Sequence, residues 1–247
     1  MTVVHESASP QFAQRATTYD AHASVQADAA RWLSQWLPVE AKGSKCLELG
    51  AGTGLFTQYL PHCFGSVIST DISPEMLHIC RSRVPNADYR LQDAWEAVSQ
   101  AEEFEMIVAS SLIHWSPDPV AALQHWSQSL SSNGRILLGF FAAPSLPEME
   151  QVIDERGPVE WRCPETWAEL IAQTGMSVLR MEAETKRYYF PSAMHFWKTL
   201  HGTGATVSRK LKPSAMLKLF HNYEDRFKDD TGVYATWTFC RVEIVGR

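Results

Sequence analysis

The chain has 247 residues, of which 45% are hydrophobic and 20% charged, and its formal net charge is −6. A chain of this length can bury a sizeable core, and the composition excludes intrinsic disorder, collagen and coiled coils. The sequence contains no run of about 18 apolar residues, so it predicts no membrane-spanning helix. The negative net charge argues against a nucleic-acid-binding protein.

The amino-terminal sequence and the cysteines indicate a compartment. The opening residues, MTVVHESASP, lack the basic and apolar regions of a signal peptide, so we expect a cytoplasmic protein. The five cysteines are scattered and none forms a CxxC pair, which argues against a zinc site and a disulfide framework. We therefore expect buried free thiols in a reducing compartment and no bound metal.

The first half of the chain alternates between predicted strands and helices. Apolar residues recur every three or four positions over 10–37, which predicts one helix that ends before Pro38. The later predicted elements are, in order, a strand at 45–50, a helix at 53–60 ended by Pro61, a strand at 66–71, a helix from Pro74 capped by Ser73, strands at 87–93 and 104–111, a helix at 119–130, a turn at Asn133-Gly134 and a strand at 135–141. This alternation predicts a doubly wound, mostly parallel α/β sheet with helices on both faces.

The second half departs from this alternation. It predicts a helix at 163–175, a long strand at 176–190, a mostly helical stretch at 192–230 and a last strand at 233–246. About 40 residues are too few for an independent core, so we expect the helical insertion (residues 190–230) to be a lid within a single domain spanning 1–247.

A glycine-rich turn comes directly after the first predicted strand. It reads Glu48-Leu49-Gly50-Ala51-Gly52-Thr53-Gly54, and its GxGxG spacing differs from the GxGxxG that binds a pyrophosphate. Glycines there allow positive φ angles and let a ligand approach the backbone closely. Taken alone, such a turn is as often structural as functional.

Carboxylates follow the next two predicted strands. Asp71 ends the second strand, where it could accept both hydroxyls of a ribose, and Asp93 ends the third, where it could receive an adenine amino group. In an open parallel sheet, ligands bind at the carboxyl ends of the strands. Asp71 could instead cap the following helix, and Asp93 could be a solvated loop acid, but their joint placement favours a nucleoside site.

At these motifs the sequence resembles the class I S-adenosylmethionine-dependent methyltransferases. The stretches ELGAGTG, TDIS, QDA, SSLIHW and NGRILLGF carry the resemblance, which covers about residues 40–143. It implies a Rossmann-like, seven-stranded sheet with a reversed C-terminal hairpin, S-adenosylmethionine as cofactor and S-adenosylhomocysteine as product. The cofactor-binding residues that it implies are Glu48, Gly50, Gly52, Gly54, Asp71, Ile72, Asp93, Ala94 and Ser110.

Two segments point to the acceptor side of such a site. Tyr19 lies in the predicted first helix, a segment that commonly closes over the cofactor in enzymes of this class. His114 and Trp115 follow the fourth strand, beside the expected locus of methyl transfer, although a lone histidine is as often a packed residue.

One block of the chain is strongly basic. Residues 185–223 contain seven lysines and arginines and no acid, so this block is +7 and the rest of the chain is −13. Such an asymmetry predicts an acidic partner, with chance clustering on a solvated face as the alternative. The aromatics of the block recur with Met and Leu at helical spacing, which indicates core packing and not base stacking.

Further stretches resemble one subgroup, the malonyl-acyl-carrier-protein O-methyltransferases of biotin synthesis. They are FAQRATTYDAHASVQ, FPSAMHFWKTLHGTGA and VYATWTFCRVEIVGR, and the match of TWTF and HGTGA is only approximate. The resemblance implies esterification of the free carboxylate of a malonyl thioester on an acidic acyl carrier protein. On this interpretation Tyr19 and His114 are catalytic, and the substrate and partner contacts are Arg15, Trp115, Lys198, Arg209, Lys210 and Lys212.

Two other functions stay open at this point. One is a small-molecule methyltransferase acting on another carboxylate, a hydroxyl or a carbon, for which His114 could serve as the base. The other is a protein that binds S-adenosylmethionine without turning it over. The sequence predicts no nucleic-acid or membrane partner, and it gives no oligomeric state.

Overall fold

The computed structural model describes residues 14–96, 103–153, 159–204 and 212–246. Its strands are β1 (Ala41–Leu49), β2 (Phe64–Asp71), β3 (Asp88–Leu91), β4 (Phe104–Ser110), β5 (Leu130–Ala142), β6 (Ser177–Phe190), β7 (Lys228–Asp229) and β8 (Gly232–Val245). Its α-helices are α1 (Ser24–Ser34), α2 (Leu60–Cys63), α3 (Pro74–Arg83), α4 (Pro119–Ser127), α5 (Pro147–Glu150), α6 (Pro164–Gln173), α7 (Ala193–Gly202) and α8 (Pro213–Phe227).

One twisted sheet organises these elements in the order β3-β2-β1-β4-β5-β8-β6. The strands from β3 to β5 are parallel, whereas β8 runs antiparallel to both β5 and β6. The two-residue β7 pairs with β8 as an eighth strand outside this order. The predicted α/β fold with its reversed C-terminal hairpin is therefore confirmed.

Helices cover both faces of the sheet because its central strands are apolar on both sides. On one face, Ala30 and Leu33 of α1 pack on Val108 and Leu137. On the other face, helices α4 and α6 bring the fully buried Trp126 and Trp167 against β4 and β5. Such two-sided burial is what parallel strands of nearly continuous apolar sequence require.

The predicted helix at 10–37 is wrong as a single element. Residues 14–19 are helical, a turn follows at 20–22, and α1 begins only at Ser24. The His22 amide donates to the Tyr19 carbonyl at 2.9 Å and closes this turn. The helix prediction for residues 10–13 lies outside the described residues.

The predicted helix at 53–60 is also wrong. Residues 52–56 form turns, a 3₁₀ helix spans Thr57–Tyr59, and α2 follows. Pro61 lies in the first turn of α2 and does not end a helix, because a first-turn residue needs no intrahelical N–H donor. The left-handed φ of Gly54, +89°, keeps the preceding turn from continuing into a helix.

The Asn133-Gly134 turn is a further correction, because both residues lie inside the continuous strand β5. The register of β5 against β4 shifts between Phe104 and Met106. A Cβ at Gly134 would lie 2.8 Å from the Phe104 carbonyl oxygen and 3.0 Å from the Ser131 carbonyl oxygen, so glycine is required at an irregularity within the strand.

The C-terminal half adds a second apolar cluster beside the sheet. Phe196 of α7 and Tyr223 of α8 pack against Trp237 on the hairpin formed by β6 and β8. All five cysteines are free, and three of them, Cys46, Cys80 and Cys240, are buried. Within the described ranges, no helix is long and apolar enough to cross a membrane.

Candidate active site

A cleft that is partly open to solvent lies at the carboxyl edge of the parallel strands, and its empty space together with the adjoining open solvent is about 1060 Å³. Its walls come from the loops after β1, β2, β3 and β4, and α1 and the segment before it complete the lining. The lining includes these residues predicted for cofactor binding: Glu48, Gly50, Gly52, Asp71, Ile72, Asp93, Ala94 and Ser110. The topology thus brings together residues that are up to 62 positions apart (110 − 48) in the chain.

The glycine loop after β1 is left-handed at each glycine, with φ of +69° at Gly50, +55° at Gly52 and +89° at Gly54. A Cβ at Gly50 would lie 2.9 Å from the side chain of Leu112, and a Cβ at Gly54 would lie 2.9 Å from the sulfur of Cys80. A Cβ at Gly52 would meet nothing within 4 Å, because that side of the loop is open. Gly54 is not part of the cleft lining, so it shapes the loop and does not face the space inside.

Asp71, at the end of β2, is fixed by backbone donors. Its Oδ2 accepts from the Gly52 amide at 2.8 Å, and its Oδ1 accepts from the Ser73 amide at 2.9 Å. Burial raises the pKa of this carboxyl above its ordinary value, and the backbone hydrogen bonds oppose that shift. The carboxylate ties the glycine loop to β2 and lines the cleft.

Glu48 is the most deeply buried acid of the cleft, with 1% of its surface exposed. Its Oε2 accepts a hydrogen bond from Ser69 Oγ at 2.7 Å. Burial raises the pKa of Glu48 from 4.5 to about 7, while hydrogen bonds from Ser69 and Thr57 act in the opposite direction. The group is therefore poised to change charge near neutral pH.

The loop after β3 supplies the far end of the cleft. Asp93 Oδ1 accepts from the Trp95 amide at 2.9 Å, which orients this carboxylate at the end of the strand. Ala94 is buried beside it, and Ile72 is 42% exposed although it is apolar. An apolar side chain next to Asp71 that is this exposed offers an apolar surface against which a ring can pack.

The segment before α1 is latched onto the glycine loop. Asp20 accepts from Thr53 Oγ1 at 2.6 Å and forms an ion pair with Arg83 of α3. This latch holds the neighbouring Tyr19 against the cleft, where burial and the charges of Asp20 and Asp71 raise the pKa of its phenol. Tyr19 is therefore a protonated hydrogen-bond donor. The roles of Asp20, Thr53 and Arg83 were not predicted from the sequence, since their pairing depends on the loop geometry.

His114 follows β4, as the sequence predicts, and its contact with an acceptor stays a prediction. Its ring is buried at 5% exposure among Phe141, Trp161 and Trp115, with centroids 5.4–6.0 Å away, and it is not among the residues that line the cleft. Burial lowers the pKa of His114 to about 3, so the ring is neutral. Its Nδ1 has no hydrogen-bond partner among the described residues. Trp115, by contrast, lines the cleft, and its ring contacts that of His114.

The predicted basic contacts that the structure describes do not line the cleft. Arg15 is exposed on the segment before α1, and its charge, together with burial, lowers the pKa of His201 on α7. Lys198 and Lys212 belong to the helical insertion, and neither lines the cleft. Arg209 and Lys210 lie outside the described residues.

The charge of the cleft lining is one-sided. Among the described residues that line it there are three acids, Glu48, Asp71 and Asp93, and no lysine, arginine or histidine. The remaining polar side chains of the lining are neutral. No group of three potential metal ligands occurs in the part of the chain that the structure describes. Such a lining attracts a cation and orients an anion only through neutral donors.

Comparison with known proteins agrees with this architecture. Residues 47–138 match a family model described as "Methyltransferase domain". Malonyl-[acyl-carrier protein] O-methyltransferase of Paenibacillus sp. (strain JDR-2) is 26% identical over 92% of this chain and 93% of its own length. The protein of the same name from Anoxybacillus flavithermus is 27% identical over 95% of both chains.

A solved structure shows the same fold. A DhpI–SAM–HEP complex superposes with a TM-score of 0.59 at 19% identity and covers 74% of this chain and 93% of that chain. Together with the matched domain and the relatives, this confirms the resemblance to class I S-adenosylmethionine-dependent methyltransferases that the motifs carry.

Proposed function

We propose that this chain is an S-adenosylmethionine-dependent O-methyltransferase. It converts the free carboxylate of a malonyl thioester, carried by an acyl carrier protein, into its methyl ester, an early step of biotin synthesis. The observation that carries this proposal is the cleft itself, with its acids at successive strand ends and a lining without a basic side chain among the described residues.

S-adenosylmethionine fits this cleft. Its sulfonium and ammonium groups are cationic, and the lining supplies three carboxylates. The open side of Gly52, which a Cβ would fill, lets the backbone approach the ligand. In this assignment Asp71 takes the ribose hydroxyls, Asp93 the adenine amino group and Glu48 the methionine end. Gly50, Ile72, Ala94 and Ser110 complete the proposed cofactor site, and Gly54, which was also predicted to bind the cofactor, acts only by shaping the loop.

The cofactor brings an activated methyl group, so the protein has to align the acceptor and exclude water. A hydroxyl acceptor would also need a base. His114 has a pKa lowered to about 3 and lies outside the lining, and Asp71 is already held by two backbone donors. A carboxylate acceptor is ionised at neutral pH and needs no base, so the site favours it.

The half-closed cleft also suits the charge change of this reaction. An anionic oxygen forms a bond to the methyl carbon while the carbon–sulfur bond breaks and its electron pair stays on sulfur. Two opposite charges disappear and no proton moves. Water stabilises the separated charges more than the transition state, so excluding it lowers the barrier. The latch of Asp20 on Thr53 and Arg83 closes one side of the cleft.

Tyr19 and the tryptophan after β4 form the acceptor side in this proposal. Tyr19 donates a hydrogen bond from its phenol to the acceptor carboxylate, and Trp115 forms the wall beside the methyl group. His114, behind Trp115, supports this wall and reaches the acceptor only if the ring of Trp115 moves aside. Arg15, at the outer surface, attracts the acidic carrier and does not enter the cleft.

The helical insertion is the proposed docking surface for the carrier protein. Lys198 and Lys212 lie there, and Arg209 and Lys210 belong to the same basic block of the sequence. The name shared by the two relatives specifies a carrier-bound malonyl substrate, which supports an acidic carrier protein as the partner here.

Mass spectrometry of malonyl-acyl carrier protein after incubation with S-adenosylmethionine tests the proposal. We expect the carrier to gain one methyl mass, which mild ester hydrolysis removes. A carrier left unmodified by enzyme that binds the cofactor would exclude this substrate and favour another acceptor.

A further inference from the structure

Gln26 of α1 lies in the cleft with an unsatisfied side chain. It is one of the residues that line the cleft, and its Oε1 is buried without a hydrogen-bond partner among the residues that the structure describes. A buried carboxamide with an unpaired polar atom is destabilising unless a ligand satisfies it. The amide oxygen and nitrogen exchange places by a simple flip, so the group can present either a donor or an acceptor.

The place of Gln26 separates it from the nucleoside end of the cleft. Helix α1 packs on β4 and β5. In the sheet order β3-β2-β1-β4-β5, Asp93 and Asp71 follow the strands on the other side of β1. Gln26 therefore faces the end near Ser110 and Trp115, which is the acceptor side of the proposed reaction.

The side from which an acceptor arrives is next to α1. A Cβ at Gly202 of α7 would clash with the ring of His22, so the turn before α1 lies directly against the helical insertion. An acyl arm from a carrier docked on that insertion would reach the cleft past this contact. Gln26 is the polar residue that the first turn of α1 places in the cleft.

Helix α1 is held rigidly from its other end. The Arg241 guanidinium lies over the rings of Trp32 and Trp36, at 4.1 and 4.4 Å from their centroids, and donates to the Trp32 carbonyl at 2.5 Å. The hydroxyl of Tyr188, on β6, donates a hydrogen bond to Asp28 of α1 at 3.1 Å. These contacts fix the helix, so Gln26 is positioned before any ligand binds.

A carboxamide has a specific advantage for a carboxylate nucleophile. Its two N–H groups orient the anion by hydrogen bonds. An arginine would neutralise the anion and draw electron density from the attacking oxygen. Since the described lining of the cleft contains no cation, neutral donors have to perform this orientation.

We infer that Gln26 orients the methyl acceptor, donating from its carboxamide to the acceptor carboxylate alongside Tyr19. The inference rests on the proposed function, since it assigns a residue to the acceptor of that reaction. It adds a positioning residue on α1 to a site otherwise built from strand-end loops.

Steady-state kinetics and calorimetry on the Gln26→Ala and Gln26→Glu variants test this inference. Loss of a hydrogen bond to a charged group predicts a drop of about tenfold to hundredfold in kcat/KM for malonyl-acyl carrier protein in Gln26→Ala. Gln26→Glu places a negative charge against the acceptor and should lower kcat/KM further. S-adenosylhomocysteine should bind both variants within about twofold of the wild-type Kd. Gln124→Ala, an exposed position on α4, is the matched control and should leave all values unchanged.

The possible failures are distinct. If Kd for S-adenosylhomocysteine rises as much as kcat/KM falls, Gln26 belongs to the cofactor site and the inference is wrong. If neither value changes in folded variants, Gln26 has no role in the site. If the wild type methylates no malonyl thioester, the proposed function fails first, and the carboxylate contact fails with it.

Discussion

Glu48 yields the sharpest pH-dependent prediction. The side chain is 1% exposed, and burial raises its pKa from 4.5 to about 7. Glu48→Gln keeps the shape and removes the titration. The variant therefore isolates one group in a cleft where the pKa of Asp71 is also raised.

The raised pKa of Glu48 determines the sign of the effect in the ligand-free protein. The folded state binds the proton more tightly than the unfolded state, so this contribution to stability is fully present below pH 4.5 and is lost as pH rises to about 7. Between pH 5 and 8, wild-type protein should lose about 2–3 kcal/mol of unfolding free energy relative to Glu48→Gln. Urea unfolding of both proteins across this range measures the difference.

Binding of the cationic cofactor acts in the opposite direction. A positive ligand favours the ionised carboxylate, so S-adenosylmethionine must displace a proton from Glu48 below pH 7. The wild-type Kd should therefore be about tenfold weaker at pH 6 than at pH 8. Glu48→Gln should bind more weakly at pH 8 and show a flatter profile.

The control for this prediction is Glu169→Gln, a position on α6 that does not line the cleft, which should keep the wild-type profile. A profile in Glu48→Gln as steep as that of the wild type would refute the reasoning, because another group would then control the proton. Equal pH dependence of stability in the two proteins would refute the burial argument itself.

Three further perturbations address separate parts of the site. Gly52→Ala should weaken S-adenosylhomocysteine binding at least about tenfold, and its left-handed φ should cost about 1–2 kcal/mol of stability. Gly54→Ala places a Cβ 2.9 Å from Cys80 and should therefore lower stability more than affinity. Calorimetry measures the affinities, and thermal melts measure the stabilities. His114→Phe keeps the aromatic packing behind Trp115 and removes an unpaired buried Nδ1, so Tm should hold or rise and turnover should stay near the wild-type value; a large fall in turnover of the folded variant would contradict a packing role and show that the imidazole acts on the acceptor. Lys198→Glu with Lys212→Glu should raise KM for malonyl-acyl carrier protein but not for malonyl-coenzyme A, and equal rises would rule out the proposed docking surface.

The sheet could be predicted because its signals are local. Short apolar runs define β1, β2 and β4. Ser73 caps α3 as expected, since its hydroxyl accepts from the Met76 amide at 3.2 Å. The errors arose where one residue type serves two purposes. A proline can end a helix or lie in its first turn, and Pro61 does the latter; a glycine can mark a turn or a close backbone approach, and Gly134 lies within strand β5 against the Phe104 carbonyl of β4.

The cofactor side of the site could be anticipated because strand ends converge in any parallel sheet. The acceptor side could not, because it depends on how separate segments fold over that edge. His114 comes after β4 as expected, and its ring packs in an aromatic cluster with Phe141 and Trp161 that the sequence pattern does not indicate. Asp20, which accepts the hydrogen bond from Thr53, lies in the turn that interrupts the predicted first helix, and the periodicity of the sequence does not indicate that turn.

Isothermal calorimetry of S-adenosylmethionine and S-adenosylhomocysteine on the purified, folded protein tests the central claim most directly. We predict saturable binding of both ligands at one site, weakened at least about tenfold in Asp71→Ala, which loses the carboxylate that holds the glycine loop and takes the ribose. Absence of binding to the folded wild type, or equally tight binding to Asp71→Ala, would contradict it.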